Sequence, residues 1–171
     1  TISGTLVKDQ NYFSVNNIPH IETYRLSRKI KTNDYPLITK KRYSAFAKDA
    51  YLLKNNDDLL NIKKKIKTLD NFVVQPFLEL KRDTRVLILD RKILGTVKRD
   101  VSLKENGQIS VKVTGLEKMT KEEEIIVDNV LKVFDLDLAG LDLFTSKTGR
   151  VWLGEINFFP NFASYERVTG E

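Results

Sequence analysis

Apolar residues come in short runs along this chain, and the spacing within each run identifies the element it should form. Residues 5–17 place Leu6, Tyr12, Phe13 and Val15 at loose helical intervals, and Asn16-Asn17-Ile18-Pro19 then turns into an extended segment at Ile21–Leu26. Tyr35–Lys40 alternates as a strand, with Ile38 and Lys40 on one face; Tyr51-Leu52-Leu53 is a second short strand. Asn55 to Asp58 offer an N-cap for a helix ending near Lys67, in which Leu59, Ile62 and Ile66 form the buried stripe. Asn71–Leu78 reads as a buried strand stopped by Pro76. Thr84–Leu89 and Ile93–Arg99 flank a hairpin loop at Asp90-Arg91-Lys92. Residues 100–108 read as a polar loop with Asn106-Gly107 as its turn, and Ile109–Val113 as a further strand. Thr120 and Glu123 have the spacing of a capping box, opening a helix that runs to Phe134 with Ile126 and Val130 inward.

The last two runs carry the candidate chemistry. Gly140–Phe144 and Val151–Asn157 are β-rich, and Ser146-Lys147-Thr148-Gly149 between them is short enough for an antiparallel hairpin. Glu155 and Asn157 are two apart and leave one face of their strand, while Asp142 comes from the partner. Two carboxylates and an amide oxygen make a hard donor set suited to magnesium. From the hairpin alone, solvated acids near strand ends remain the commoner reading.

Composition narrows the field. At 171 residues, 41% hydrophobic and 30% charged, the chain is one globular domain without an apolar run of membrane-spanning length. It has no cysteine, which excludes disulfides and thiolate metal sites and agrees with a cytoplasmic location. A single histidine, His20, excludes His-pair zinc motifs and leaves little room for a Ser-His-Asp triad. The net charge of +6 is concentrated: between Arg25 and Lys48 eight basic residues face the single acid Asp34. Such a segment attracts polyanions, although a solubilising face would look the same.

Taken in order, these pieces resemble the ATP-grasp superfamily, in particular its RimK-like and glutathione-synthetase-like carboxylate–amine ligases. Gln75-Pro76-Phe77-Leu78 looks like the hinge strand along adenine, followed by the D-x-R segment Asp83-Thr84-Arg85. Lys98-Arg99 stand where the family carries basic residues near the phosphates or acyl group. Gly140-Leu141-Asp142, Gly154-Glu155-Ile156-Asn157, Pro160 and Glu166–Gly170 are similar to its closing signature. The resemblance implies an α+β fold of two subdomains with antiparallel sheets gripping ATP between them. It implies a lid-bearing subdomain at about 20–70 and a metal- and ATP-binding subdomain at about 71–171. The N-terminal domain that usually precedes them is not among these residues. It further implies ATP contacts at Lys8, Lys40, Gln75, Pro76, Phe77, Leu78 and Asp83. Asp142, Glu155 and Asn157 would hold Mg2+ or Mn2+, and Lys40 and Arg99 would serve as catalytic cations.

The expected reaction joins a small-molecule or peptide carboxylate to an amine through an acyl phosphate. Two other readings stand beside it: a kinase on the same scaffold acting on a polyol or inositol phosphate, and a non-catalytic nucleotide-binding domain. The last draws on a departure, because the loop Lys41–Asp49 has no glycine where the family closes a glycine-containing loop over the phosphates. Pro76 also replaces the acidic residue common at the hinge, and Lys104, Asn106 and Lys112 only blur the family's basic-plus-asparagine motif. No membrane or nucleic-acid partner is expected. Assembly with further copies is left open.

Overall fold

The structure is a computed structural model and describes residues 10, 12–26, 30–42, 49–160 and 162–170. Lys8, Arg28, Lys29 and the glycine-free stretch from Tyr43 to Lys48 lie outside these residues. The chain forms two compact units, residues 1–21, 79–100 and 112–171 in one and 22–78 with 101–111 in the other.

The second of these units holds β1 (Tyr24–Arg25), β2 (Leu37–Lys41), β3 (Ala50–Leu53), helix α1 (Asn56–Lys65) and β4 (Phe72–Pro76). Its strands form one antiparallel sheet in the order β1-β4-β2-β3. Asn55 caps α1 as its spacing predicts, its side-chain oxygen accepting the Asp58 N–H at 3.0 Å. Leu59 and Ile62 of α1 pack on Leu37, Leu53, Phe72 and Val74 in one buried cluster. The division expected near residue 70 falls instead after Leu78, because β4 is hydrogen-bonded to β2 over its whole length.

The other unit is built on β5 (Leu80–Leu89), β6 (Lys92–Leu103), β7 (Ile109–Leu116), α2 (Lys121–Val133), β8 (Leu138–Ser146), β9 (Val151–Asn157) and the short α3 (Ala163–Thr169). The sheet order is β7-β6-β5-β8-β9, and β5, β6, β8 and β9 pair antiparallel. The two-residue turn at Asp90-Arg91 has positive φ at both positions (50° and 59°), the twist a tight hairpin requires. β6 and β7 carry the chain out of this unit at residue 100 and back at residue 112. The first four residues of the polar loop expected at 100–108 are strand instead: β6 runs to Leu103, and Lys104–Gln108 turns, closed by the Lys104 N–H on the Gln108 carbonyl at 2.9 Å. Pairing with β7 satisfies that backbone whatever its side chains, so polar composition misled. Gly107 sits in the turn at φ 78°.

The capping box at α2 forms as its sequence predicts, with Glu123 N–H on Thr120 Oγ1 and Thr120 N–H on Glu123 Oε2. α2 lays Ile126, Val127 and Val130 on Val86, Ile88, Leu141, Leu143, Leu153 and Ile156, forming the core under one face of the sheet. Among the described residues, no helix is long and apolar enough to cross a membrane.

Candidate active site

With one face of the sheet committed to α2, strand alternation sends every second residue to the other. On β5, Thr84, Val86 and Ile88 go to the core, so Asp83 and Arg85 emerge opposite. Pairing places Arg99 of β6 across from Asp83, and Asp142 of β8 across from Arg85. On β9, Glu155 stands across from Asp142, and Asn157 across from Gly140. Five residues expected at the site from the sequence (Asp83, Arg99, Asp142, Glu155 and Asn157) therefore share one face of four neighbouring strands.

A β-bulge makes this possible. The register shifts between Asp142 and Leu143, which pair with Glu155 and Leu153, leaving Gly154 as the extra residue. Val151 and Leu153 point to the core before the bulge and Ile156 after it. Only a glycine fits there: a Cβ on Gly154 would stand 2.1 Å from the Phe144 ring. Gly140 is also crowded, with a Cβ 3.0 Å from Pro160, so the segment after β9 folds closely over the sheet.

The charged groups bind one another. Asp142 is 5% exposed and accepts Arg85 Nε on Oδ1 at 2.7 Å and Arg85 Nη2 on Oδ2 at 2.9 Å; Oδ2 also accepts Arg99 Nη1 at 2.9 Å. Arg99, itself buried, gives Nε to Asp83 Oδ1 at 2.8 Å and turns Nη2 onto the same oxygen. Two carboxylates thus share Arg99, and a second arginine favours one of them. Burial alone would raise the Asp142 pKa, but Arg85 and Arg99 override it and hold the carboxyl well below the usual carboxylate range. Asp83 lacks the second cation, and burial pushes it up to about 6 against the pull of Arg99, with Asp142 adding to the rise. Burial opposes the charge on Arg99, yet Asp142 and Asp83 raise its pKa and keep it a cation.

The oxygens left for a metal can be counted. A carboxylate oxygen accepts about two hydrogen bonds. Oδ2 of Asp142 is filled by two arginine N–H groups, whereas Oδ1 takes one. Asn157 Oδ1 accepts the Phe159 N–H at 3.3 Å and likewise keeps acceptor capacity. Among the described residues no three His, Cys, Asp or Glu side chains converge, so a metal here would need other oxygen donors besides carboxylates. Asp142, Glu155 and Asn157 fit a hard cation on these terms, with Asp142 shared between metal and arginines.

Arg85 belongs to the D-x-R segment, which names no partner for it; the two-residue spacing from Asp83 puts both on one face, and pairing with β8 supplies Asp142. Glu123 is another surprise. A capping-box glutamate is expected at the surface, but this one is fully buried and accepts Arg82 Nη2 at 3.1 Å, Thr84 Oγ1 at 3.3 Å and Thr145 Oγ1 at 3.2 Å. It ties α2 to β5 and β8 on the reverse of the charged face.

Lys8 lies outside the described residues, and the remaining expected residues, Lys40 and Gln75 to Leu78, belong to the other unit. Lys40 and Gln75 occupy neighbouring strands; Ile38 pairs with Gln75, and Lys40 with Val73. Gln75 is buried and donates Nε2 to Thr23 Oγ1 at 2.7 Å, so its side chain serves its own sheet. Pro76 closes β4, and the Phe77 N–H goes to the Pro36 carbonyl at 3.0 Å. Leu78 follows in the segment leading to β5.

Two antiparallel sheets with helices are the fold of ATP-grasp ligases. The ATP-grasp ligase PsnB with a minimal precursor superposes with a TM-score of 0.68 at 15% identity, covering 98% of this chain and 57% of that one. D-alanine–D-alanine ligase from Bacillus anthracis gives 0.65 at 14% identity, covering 99% and 63%. By sequence, the RimK-like ATP-grasp domain model matches residues 13–171, and the chain belongs to that family. Among curated relatives, a probable alpha-L-glutamate ligase of Legionella pneumophila (strain Corby) is 30% identical over 143 residues, 78% of this chain and 46% of the relative. Another, from Vibrio atlanticus, is 31% identical over 110 residues, 59% of this chain and 35% of the relative. The chain spans less than half the length of these relatives.

Proposed function

We propose that this domain is the ATP-using part of a carboxylate–amine ligase. The observation that carries the reading is the placement of Asp142 directly across from Glu155, with Asn157 on the same face and Arg99 beside them, in a chain of the RimK-like family. A carboxylate oxygen of the substrate attacks the γ-phosphorus of ATP, the bond to the β-phosphate oxygen breaks, and ADP leaves. An amine nitrogen then attacks the acyl carbon and loses a proton, and the carbon–oxygen bond to phosphate breaks.

Asp142, Glu155 and Asn157 are the proposed holders of magnesium, which when bound neutralises phosphate charge and orients the phosphoryl oxygens. Arg99 stays cationic at any working pH, and its two carboxylate partners fix its plane before substrate arrives. Such a preset donor stabilises developing negative charge without reorganising. Lys40 and the strand-end residues Gln75 to Leu78 are the nucleotide contacts proposed for the other unit, and Asp83 acts here by positioning Arg99. The names of the curated relatives make α-linked glutamate the first substrate to test.

The deciding experiment is phosphate release from magnesium–ATP by the full-length protein across a panel of carboxylates and amines, glutamate included. Release that needs both substrates and yields an amide supports the ligase. A stable phosphorylated product formed without any amine would transfer the site to a kinase.

A further inference from the structure

A cleft of about 370 Å³ opens in the four-stranded unit, on the side of its sheet that carries α1. Adjacent residues of β2 leave opposite faces, and this separates the cleft from Lys40. Leu37 and Thr39 are buried, Leu37 in the cluster with Leu59 and Ile62 of α1, so Lys41 shares the helix side and Lys40 leaves from the other. Lys41 lines the cleft; Lys40 does not.

Three lysines meet there, Lys41 from β2, Lys65 from the last turn of α1 and Lys67 from the connection after it, against one acid, Asp49. Lys65 has a structural explanation, since cations in the last turn of a helix complement its dipole. Lys41 and Lys67 have none. Among the described residues, none of the three makes a side-chain hydrogen bond or ion pair. Like charges along one cleft repel, and an anion bound there relieves this.

The rest of the cleft is built to receive a ligand. Ile62 and Phe72 give it an apolar floor, with Tyr51 beside them, and Thr68 and Asn71 add hydrogen-bonding groups. Its walls are tied by backbone bonds: Lys41 N–H to the Asp49 carbonyl at 3.1 Å, Arg42 N–H to Asn71 at 2.7 Å and Asn71 N–H to Thr68 at 3.2 Å. The volume lies within the range usual for small-molecule sites.

We propose that this cleft binds a small ligand carrying at least two anionic oxygen groups, at a site distinct from the nucleotide-contacting residues. Phosphate esters and polycarboxylic acids share that chemistry. Lysine, a compact point charge, accepts either.

Inorganic pyrophosphate and citrate represent the two sources, titrated calorimetrically at constant ionic strength. At least one should bind saturably, and whichever binds tighter names the source. Lys41→Gln with Lys67→Gln should weaken that binding about tenfold or more, the loss of two charge-assisted contacts, whereas Lys40→Gln should leave it unchanged. In the unmutated protein, the bound probe should protect Lys41 and Lys67, but not Lys40, from limited acetylation read by mass spectrometry. The proposal is overturned if neither probe saturates, if affinity follows Lys40 rather than the double variant, or if no lysine of the cleft is protected.

Discussion

Arg85 and Asp142 stand across from one another on neighbouring strands and meet fork to fork, Nε 2.7 Å from Oδ1 and Nη2 2.9 Å from Oδ2. Cross-strand register sets the distance and alternation sets the face, so nothing but strand pairing is needed to build the contact. Arg85→Met should lower stability by about 2–4 kcal/mol, because a buried carboxylate loses one of its two cations. Arg85→Lys keeps the charge and loses the fork, and should cost about half as much. Adding Asp142→Asn to Arg85→Met should recover part of the loss in urea denaturation. Purely additive losses would mean that the two side chains do not act as a pair.

Asp83 predicts a pH dependence of unusual sign. Its carboxyl rises from 3.8 to about 6 on folding, so the folded chain holds a proton that the unfolded chain has released. The stability it contributes is therefore fullest below pH 3.8 and is lost as pH rises through 6, on the order of 3 kcal/mol in all. Asp142 works in the opposite sense: its depressed pKa contributes stability above 3.8 that is lost on further acidification. Of these two, only Asp83 acts between pH 4 and 6. The unmutated protein should lose stability across that interval relative to Asp83→Asn, and parallel curves would remove the argument.

Glu155→Gln should separate function from folding. Across from Asp142, a neutral side chain relieves like-charge repulsion, so the ligand-free melting temperature should stay level or rise slightly, by less than about 1 kcal/mol in stability. Phosphate release with magnesium–ATP should fall by a factor on the order of 100 or more. An active Glu155→Gln protein would end the metal assignment.

Gly154→Ala tests the bulge. The new methyl meets the Phe144 ring rather than a flexible chain end, so stability should drop by about 1–3 kcal/mol. Phe144→Leu in the same chain should restore part of it, and a neutral Gly154→Ala would show that the close approach is not needed.

The hairpins, the α2 cap and the face shared by Glu155 and Asn157 were legible in sequence because each rests on local rules: turn residues, cap spacing and alternation. The length of β6 was not, since its backbone is satisfied by β7 and its polar side chains resemble a loop. The arginine pairing was also hidden. Nothing within β5 says that Arg85 will face Asp142, 57 residues later in the chain. The buried Glu123 escaped for a related reason, because its cap role is local while its other partners come from β5 and β8.

The extra residue at Gly154 also acts as a switch of parity. Ahead of it β9 spends odd positions, Val151 and Leu153, on the core; beyond it the even position Ile156 does so, and the odd ones, Glu155 and Asn157, are released to the charged face. Were Gly154 drawn into a regular ladder, the last part of the strand would turn over, pressing two polar groups into the apolar layer and lifting an isoleucine onto the sheet. Deleting it would instead join Leu153 to Glu155, still opposite Leu143 and Asp142, and leave every face as it is. The extra residue and the bulge therefore stand or fall together. A relative one residue shorter at this point should have a plain ladder and the same side chains on the same faces.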